Sequence, residues 1–205
     1  MPPVADIRLA DFDPDEHLPL LDRWLHEPHV RRWWGDPVRN LAEVQQRPPD
    51  GGHALITADG LPVGYICWQR YRGEDLAIIG LPDLPQAAID LDIMIGETSY
   101  VGHGAGPRAL GLLLARVGRD PSVPLVGLAS SLDNVSAVRA YEKAGFTRVR
   151  QFNDPEFGPC WFMIADLRGS GRPTTRCSPG HLRRTAGAVR TPGPSADPAG
   201  VRRVG

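Results

Sequence analysis

Residues 99–110 read SYVGHGAGPRAL, with Gly102, Gly104 and Gly106 at alternate positions ahead of a helical pattern. Upstream, AIDLDIMIG over residues 88–96 is the apolar run of a central strand; downstream, PRALGLLLARVGR over 107–119 has helical spacing. Strand, glycines and helix in that order build a cradle for phosphates. The first amides of a helix have no intrahelical partner and carry the positive end of its dipole, and glycines admit positive φ and close backbone approach. Pro107 suits an early helical position, where its missing N–H is not needed. No Lys-Ser/Thr pair follows, so this is not a nucleotide P-loop, and the third glycine is misplaced for GxGxxG. An ordinary tight turn would also select glycine, so the surrounding elements must decide.

Working outward, IRLADF over 7–12 predicts a short strand, and HLPLLDRWLHEPHV over 17–30 a helix that continues past RRWWGDP as a helical hairpin through NLAEVQQR. Residues 53–57 and 63–71 flank the turn signal ADGLP and predict a β-hairpin. The Gly-, Pro- and acid-bearing stretch 72–87 reads as a long loop. After the glycine turn and its helix come a buried strand PLVGLAS, a helix NVSAVRAYEKAG ending at Gly145, and two closing strands in FTRVRQFN and PCWFMIADL. The order predicts a mixed α/β single domain with a central mixed sheet and flanking helices.

With 205 residues, 41% hydrophobic and 23% charged, the chain can fill one core. The net charge of −1 hides an asymmetry, because residues 169–205 hold seven arginines against the single acid Asp197. We expect one domain over residues 1–168 and a disordered basic tail over 169–205, since the tail has seven glycines, five prolines and no aromatic residue. Lacking aromatics for base stacking, the tail does not predict a nucleic-acid partner. No apolar run reaches the length of a membrane span and the first residues lack the order of a secretion signal, so a cytoplasmic protein without a membrane partner is expected. Cys67, Cys160 and Cys177 are too scattered for a disulfide framework or a metal site, and no metal is expected.

Asp90 and Asp92, two apart on the central strand, share one face while Leu91, Ile93 and Ile95 share the other. Together with WLHEPHVRRWWG near the start, GHGAG, and NVSAVRAYEKAGF, this chain resembles the GCN5-related N-acetyltransferase (GNAT) superfamily, and within it the aminoglycoside 6′-N-acetyltransferases, over roughly residues 17–167. The resemblance implies a GNAT fold, acetyl-CoA as co-substrate and a polyamine acceptor such as an aminoglycoside, in a monomer or homodimer. It assigns the coenzyme's diphosphate to the backbone of Gly102, His103, Gly104, Ala105 and Gly106, with the His103 ring either assisting or simply exposed. It implies that Asp92 attracts the substrate amine and takes its proton, that Asp90 supports the charge or a second amino group, and that Tyr141 protonates the departing thiolate. Asn134 would contact the pantetheine arm, and an amide near Ile95 or Gly96 would face the developing oxyanion. Because an aspartate's ordinary pKa is about 3.9, Asp92 is a weak base for an ammonium group and is expected to contribute largely by electrostatic placement.

For the acceptor we expect a wall from Trp33, Trp34 and Asp36, and an acidic rim from Glu74, Asp75 and Asp83. Packing and solvation are the competing roles for these side chains. Two departures stand out: Val101 replaces a usual Arg or Gln of the phosphate loop, and Ala129 stands where related enzymes usually carry Asp, with Asp133 as a possible substitute. The second leaves acetyl transfer intact but opens the choice of amine. A siderophore-pathway lysine or hydroxylysine acyltransferase, a protein-terminus acetyltransferase and a non-catalytic coenzyme A-binding module remain alternatives.

Overall fold

A computed structural model describes residues 5–45 and 50–168, apart from the side chains of Glu74 and Asp75. The expected tail over 169–205 therefore lies outside the described residues.

Seven strands form one sheet in the order β1-β2-β3-β4-β5-β7-β6. They are β1 (Ile7–Asp11), β2 (Gly52–Ala58), β3 (Leu61–Arg70), β4 (Ile89–Ile95), β5 (Leu125–Ser131), β6 (Thr147–Asp154) and β7 (Gly158–Asp166). Only the β4–β5 pair is parallel. The expected mixed α/β domain is thus observed.

The helices divide between the two faces because alternate strand residues point opposite ways. On one face, α5 (Ala105–Val117) and α6 (Val135–Lys143) supply Ala109, Leu110, Leu113 and Val138 to a core shared with Ile56, Ile66, Leu91, Val126 and Met163. Each such aliphatic side chain contributes about 1.5–3 kcal/mol by leaving water. On the other face, α1 (Pro14–His26), α2 (Pro28–Trp34) and α3 (Pro37–Gln45) deliver Leu21, Trp24, Leu25, Val30 and Val44 onto Leu55, Tyr65, Cys67 and Met94. The expected hairpin is three helices, because Pro28 and Pro37 each start a new one.

A second correction concerns residues 72–87. Part of the expected loop is a helix, α4 (Gly73–Ile79), stopped by Gly80 at φ 70°. Leu76 and Ile79, three apart, are buried with Tyr71, Ala88 and Phe162, so tertiary packing stabilises a helix too short to persist alone.

Candidate active site

The strand, glycine turn and helix follow one another as their order predicted. After β4, residues Thr98–Tyr100 form one 3-10 turn, and Gly102 (φ 79°) and Gly104 (φ 85°) adopt left-handed conformations that bring the chain into α5. Gly104 is the N-cap and brings no side chain, and no acid lies in the first helical turn, so the helix's positive end is not neutralised from within. A Cβ added at Gly102, Gly104 or Gly106 would find no protein atom within 4 Å. The turn is therefore open at all three glycines, with room for an anion against its backbone. Ala105, at the start of α5, is buried. The exposed His103 ring donates from Nδ1 to the Val101 carbonyl at 2.9 Å, which holds the imidazole beside the glycines.

β4 and β5 are each seven residues long, yet they pair only at Ile89–Val126 and Asp90–Gly127. Beyond that point β4 continues along β3 as far as Ile95–Gly64, and β5 along β7 as far as Ser131–Cys160. The two central strands consequently part, and their facing residues meet solvent: Asp92 and Ala129 are both exposed in the middle of the sheet. Asp92 stands on the α1–α3 face opposite Cys67, and Asp90 opposite Gln69. The Asp90 carboxylate accepts from the Leu91 amide at 3.1 Å.

Of the two amides named for the oxyanion, that of Gly96 is committed, donating to the Val63 carbonyl at 2.9 Å. This is a correction to its expected role. By antiparallel alternation the Ile95 N–H and C=O point away from β3, into the gap. Gly96 is a glycine for another reason: a Cβ there would lie 2.2 Å from the Trp24 indole.

On the opposite face of the sheet, Asn134 caps α6, its side-chain oxygen accepting from the Ala137 amide at 3.2 Å. The cap does not use its NH2 group. Tyr141, half-buried on the same helix, packs edge-on to Phe146 with centroids 6.2 Å apart. Removal from water and, secondarily, the charge of Asp92 raise its phenol well above the ordinary tyrosine range. The phenol therefore keeps its proton, and the charge named for one end of the chemistry acts on the group named for the other.

The expected acceptor wall is only partly assembled. Trp34 packs against Tyr65 at 6.4 Å, while the Trp33 ring is covered by the Arg32 guanidinium at 4.6 Å. The Asp36 carboxylate caps α3, accepting from the Val38 amide at 2.8 Å, so its first duty is structural. Asp83 is exposed on the turn after α4, Asp133 is exposed just before α6, and the side chains of Glu74 and Asp75 lie outside the described residues. Among the described residues no His/Cys/Asp/Glu group could hold a metal, and no helix is long and apolar enough to cross a membrane.

Several residues around the gap were not singled out from the sequence. Glu97 accepts from the buried Trp24 indole N–H at 2.9 Å and pairs with Arg23, tying the segment after β4 to α1. His29 reaches the Ile95 carbonyl at 3.0 Å. Arg39 pairs with Glu156, joining α3 to the β6–β7 turn. The WLHEPHV stretch was visible as a motif, but which of its side chains turn toward β4 depends on how α1 and α2 dock.

Comparison with known proteins agrees with this fold. A profile described as acetyltransferase (GNAT) domain matches residues 13–154. Aminoglycoside N(6′)-acetyltransferase type 1 of Klebsiella pneumoniae is 28% identical over 165 residues, spanning 73% of this chain and 78% of that protein. The fold is that of AAC(6′)-Ib solved with ribostamycin and coenzyme A, at a TM-score of 0.68 and 23% identity over 84% of this chain and 99% of that one. An aminoglycoside N(6′)-acetyltransferase of Legionella pneumophila superposes with a TM-score of 0.59 at 20% identity, covering 82% and 95% of the respective chains.

Proposed function

The chain belongs to the acetyltransferase (GNAT) family, which takes acetyl-CoA as acyl donor, and from that premise we propose that it acetylates a primary amine, the 6′-amino group of an aminoglycoside. What supports this reading above all is the parting of β4 and β5. It exposes Asp92 on a central strand whose continuation leads into the glycine turn, and the Asp92 charge acts on the protonated Tyr141.

Acetyl-CoA supplies an activated thioester when bound. The amides at residues 102–106 would hold its diphosphate, and the side-chain NH2 of Asn134, left free by the cap, would hold its pantetheine arm. Asp92 draws in the cationic amine and accepts its proton, directly or through water. The gap-facing Ile95 amide donates to the acyl oxygen as negative charge develops there, which is effective because the dipole is already oriented. The Tyr141 hydroxyl donates to the departing sulfur. Direct transfer within a ternary complex needs no covalent enzyme intermediate and no metal.

The acceptor reading draws on the relatives' names and on their structures with aminoglycosides. The test is thiol release from acetyl-CoA against kanamycin-type, gentamicin-type and hydroxylysine amines, alongside calorimetry with coenzyme A. Release with aminoglycosides supports the proposal, and release with hydroxylysine alone transfers it to a siderophore-type acyltransferase. Coenzyme uptake without turnover on any amine would make this a binding module, and absence of uptake would overturn the reading altogether.

A further inference from the structure

Where β4 loses β5 as a neighbour, its backbone groups on that edge lose their ladder partners. A carbonyl left so must be satisfied by another donor. At Ile95 the donor is His29, from the first turn of α2, with Nε2 at 3.0 Å from the carbonyl oxygen. A carbonyl only accepts, so Nε2 carries the hydrogen, and Nδ1 lies 3.4 Å from the Thr98 hydroxyl.

The consequence for the backbone is specific. The peptide joining Ile95 to Gly96 has its C=O held by His29 and its N–H held by the Val63 carbonyl at 2.9 Å. Both ends of one peptide plane are fixed, from opposite sides of the strand. Rotation about the last soft dihedral of Ile95 is thereby blocked; the Ile95 N–H lies in the preceding peptide plane, which the β3 ladder holds at Met94–Tyr65, so the His29 bond secures the other side of the same Cα. Thr98, the other partner of His29, opens the 3-10 turn that leads to the phosphate-binding glycines.

We propose that His29 is a positioning residue: by replacing the missing β5 partner of the Ile95 carbonyl it anchors the end of β4, and with it the Cα that carries the gap-facing amide, in line for the acyl oxygen. The proposal rests on the acetyltransferase reading above for its catalytic consequence, but not for its structural one. Binding of the diphosphate depends on backbone farther along the chain and should be spared. Misalignment of a single oriented donor costs about tenfold or more in turnover.

The test compares His29→Phe, which keeps a ring but no donor, with His29→Gln, whose side-chain NH2 can reach the same carbonyl. In 15N-labelled protein without ligand, His29→Phe should shift the Ile95 and Gly96 amide resonances and speed Gly96 hydrogen exchange, while His29→Gln should stay close to the parent. In thiol release, His29→Phe should lose about tenfold or more in kcat with an acetyl-CoA Kd changed less than about threefold, and His29→Gln should recover most of the loss. Unchanged Gly96 exchange in the phenylalanine variant, full kcat in it, or equal losses in both variants would overturn the assignment. A parent protein that releases no thiol from acetyl-CoA with any amine would count against the transferase reading, whereas the exchange measurement on the free protein judges the backbone role of His29 by itself.

Discussion

Asp92 of β4 and Tyr141 of α6 belong to helix–sheet layers on opposite faces, yet the carboxylate's charge reaches the phenol and, with burial, raises its pKa. The sheet opens between β4 and β5 just after Asp90, at the position of Asp92 itself.

Replacing Asp92 with Asn should remove most amine acetylation, by about 10²-fold or more, while coenzyme binding persists. The same change should lower the Tyr141 pKa part of the way back, because burial, the larger cause, remains. Ultraviolet titration of the phenolate in the two proteins checks the second effect independently of activity.

Tyr141 also links pH to stability. Its folded-state pKa lies above the ordinary value of 10.0, so the folded protein holds the phenolic proton more tightly than the unfolded chain. This contribution is fully present below about pH 10 and is lost as the pH rises beyond it. Urea denaturation of Tyr141→Phe at rising pH should show a smaller alkaline loss of stability than the parent. In thiol-release assays the same variant should lower kcat more than acetyl-CoA affinity.

Gly106 and Gly111 offer a matched pair. Both lie in α5 outside the left-handed region, and a Cβ at either would meet no protein atom within 4 Å. Alanine at each should therefore stabilise the helix by up to about 1 kcal/mol. Only Gly106 lies in the cradle, so Gly106→Ala should weaken coenzyme A binding while Gly111→Ala leaves it unchanged. Equal affinities in calorimetry would show that the diphosphate does not approach Gly106.

Glu97 is the acceptor for the indole N–H of Trp24, which is 1% exposed. Glu97→Ala should cost about 1–3 kcal/mol by leaving that donor unpaired, and Glu97→Gln, which keeps an acceptor oxygen, should cost less. Chemical denaturation of both variants measures the difference.

Cys160 is buried, and burial with the nearby charge of Asp154 pushes its thiol up to about 11. A thiolate is the reactive form, so at pH 8 this side chain should react with thiol reagents far more slowly in native than in unfolded protein. Mass spectrometry after timed alkylation checks this.

The strand–glycine–helix order, the two strand acids and the helix bearing Asn134 and Tyr141 were legible in the sequence because each depends on local spacing, on where a Cβ is missing or on which face a side chain takes. Local order could not reveal α4, whose Leu76 and Ile79 gain their energy from Phe162 far along the chain. Nor could it distinguish Asp36, spent on a helix cap, from an acid turned toward a substrate. The opening between β4 and β5, the commitment of the Gly96 amide to Val63 and the bond from His29 to Ile95 were decided only in three dimensions. Each depends on which backbone groups remain unpaired once the sheet has formed, and that is a property of strand neighbours brought together by folding.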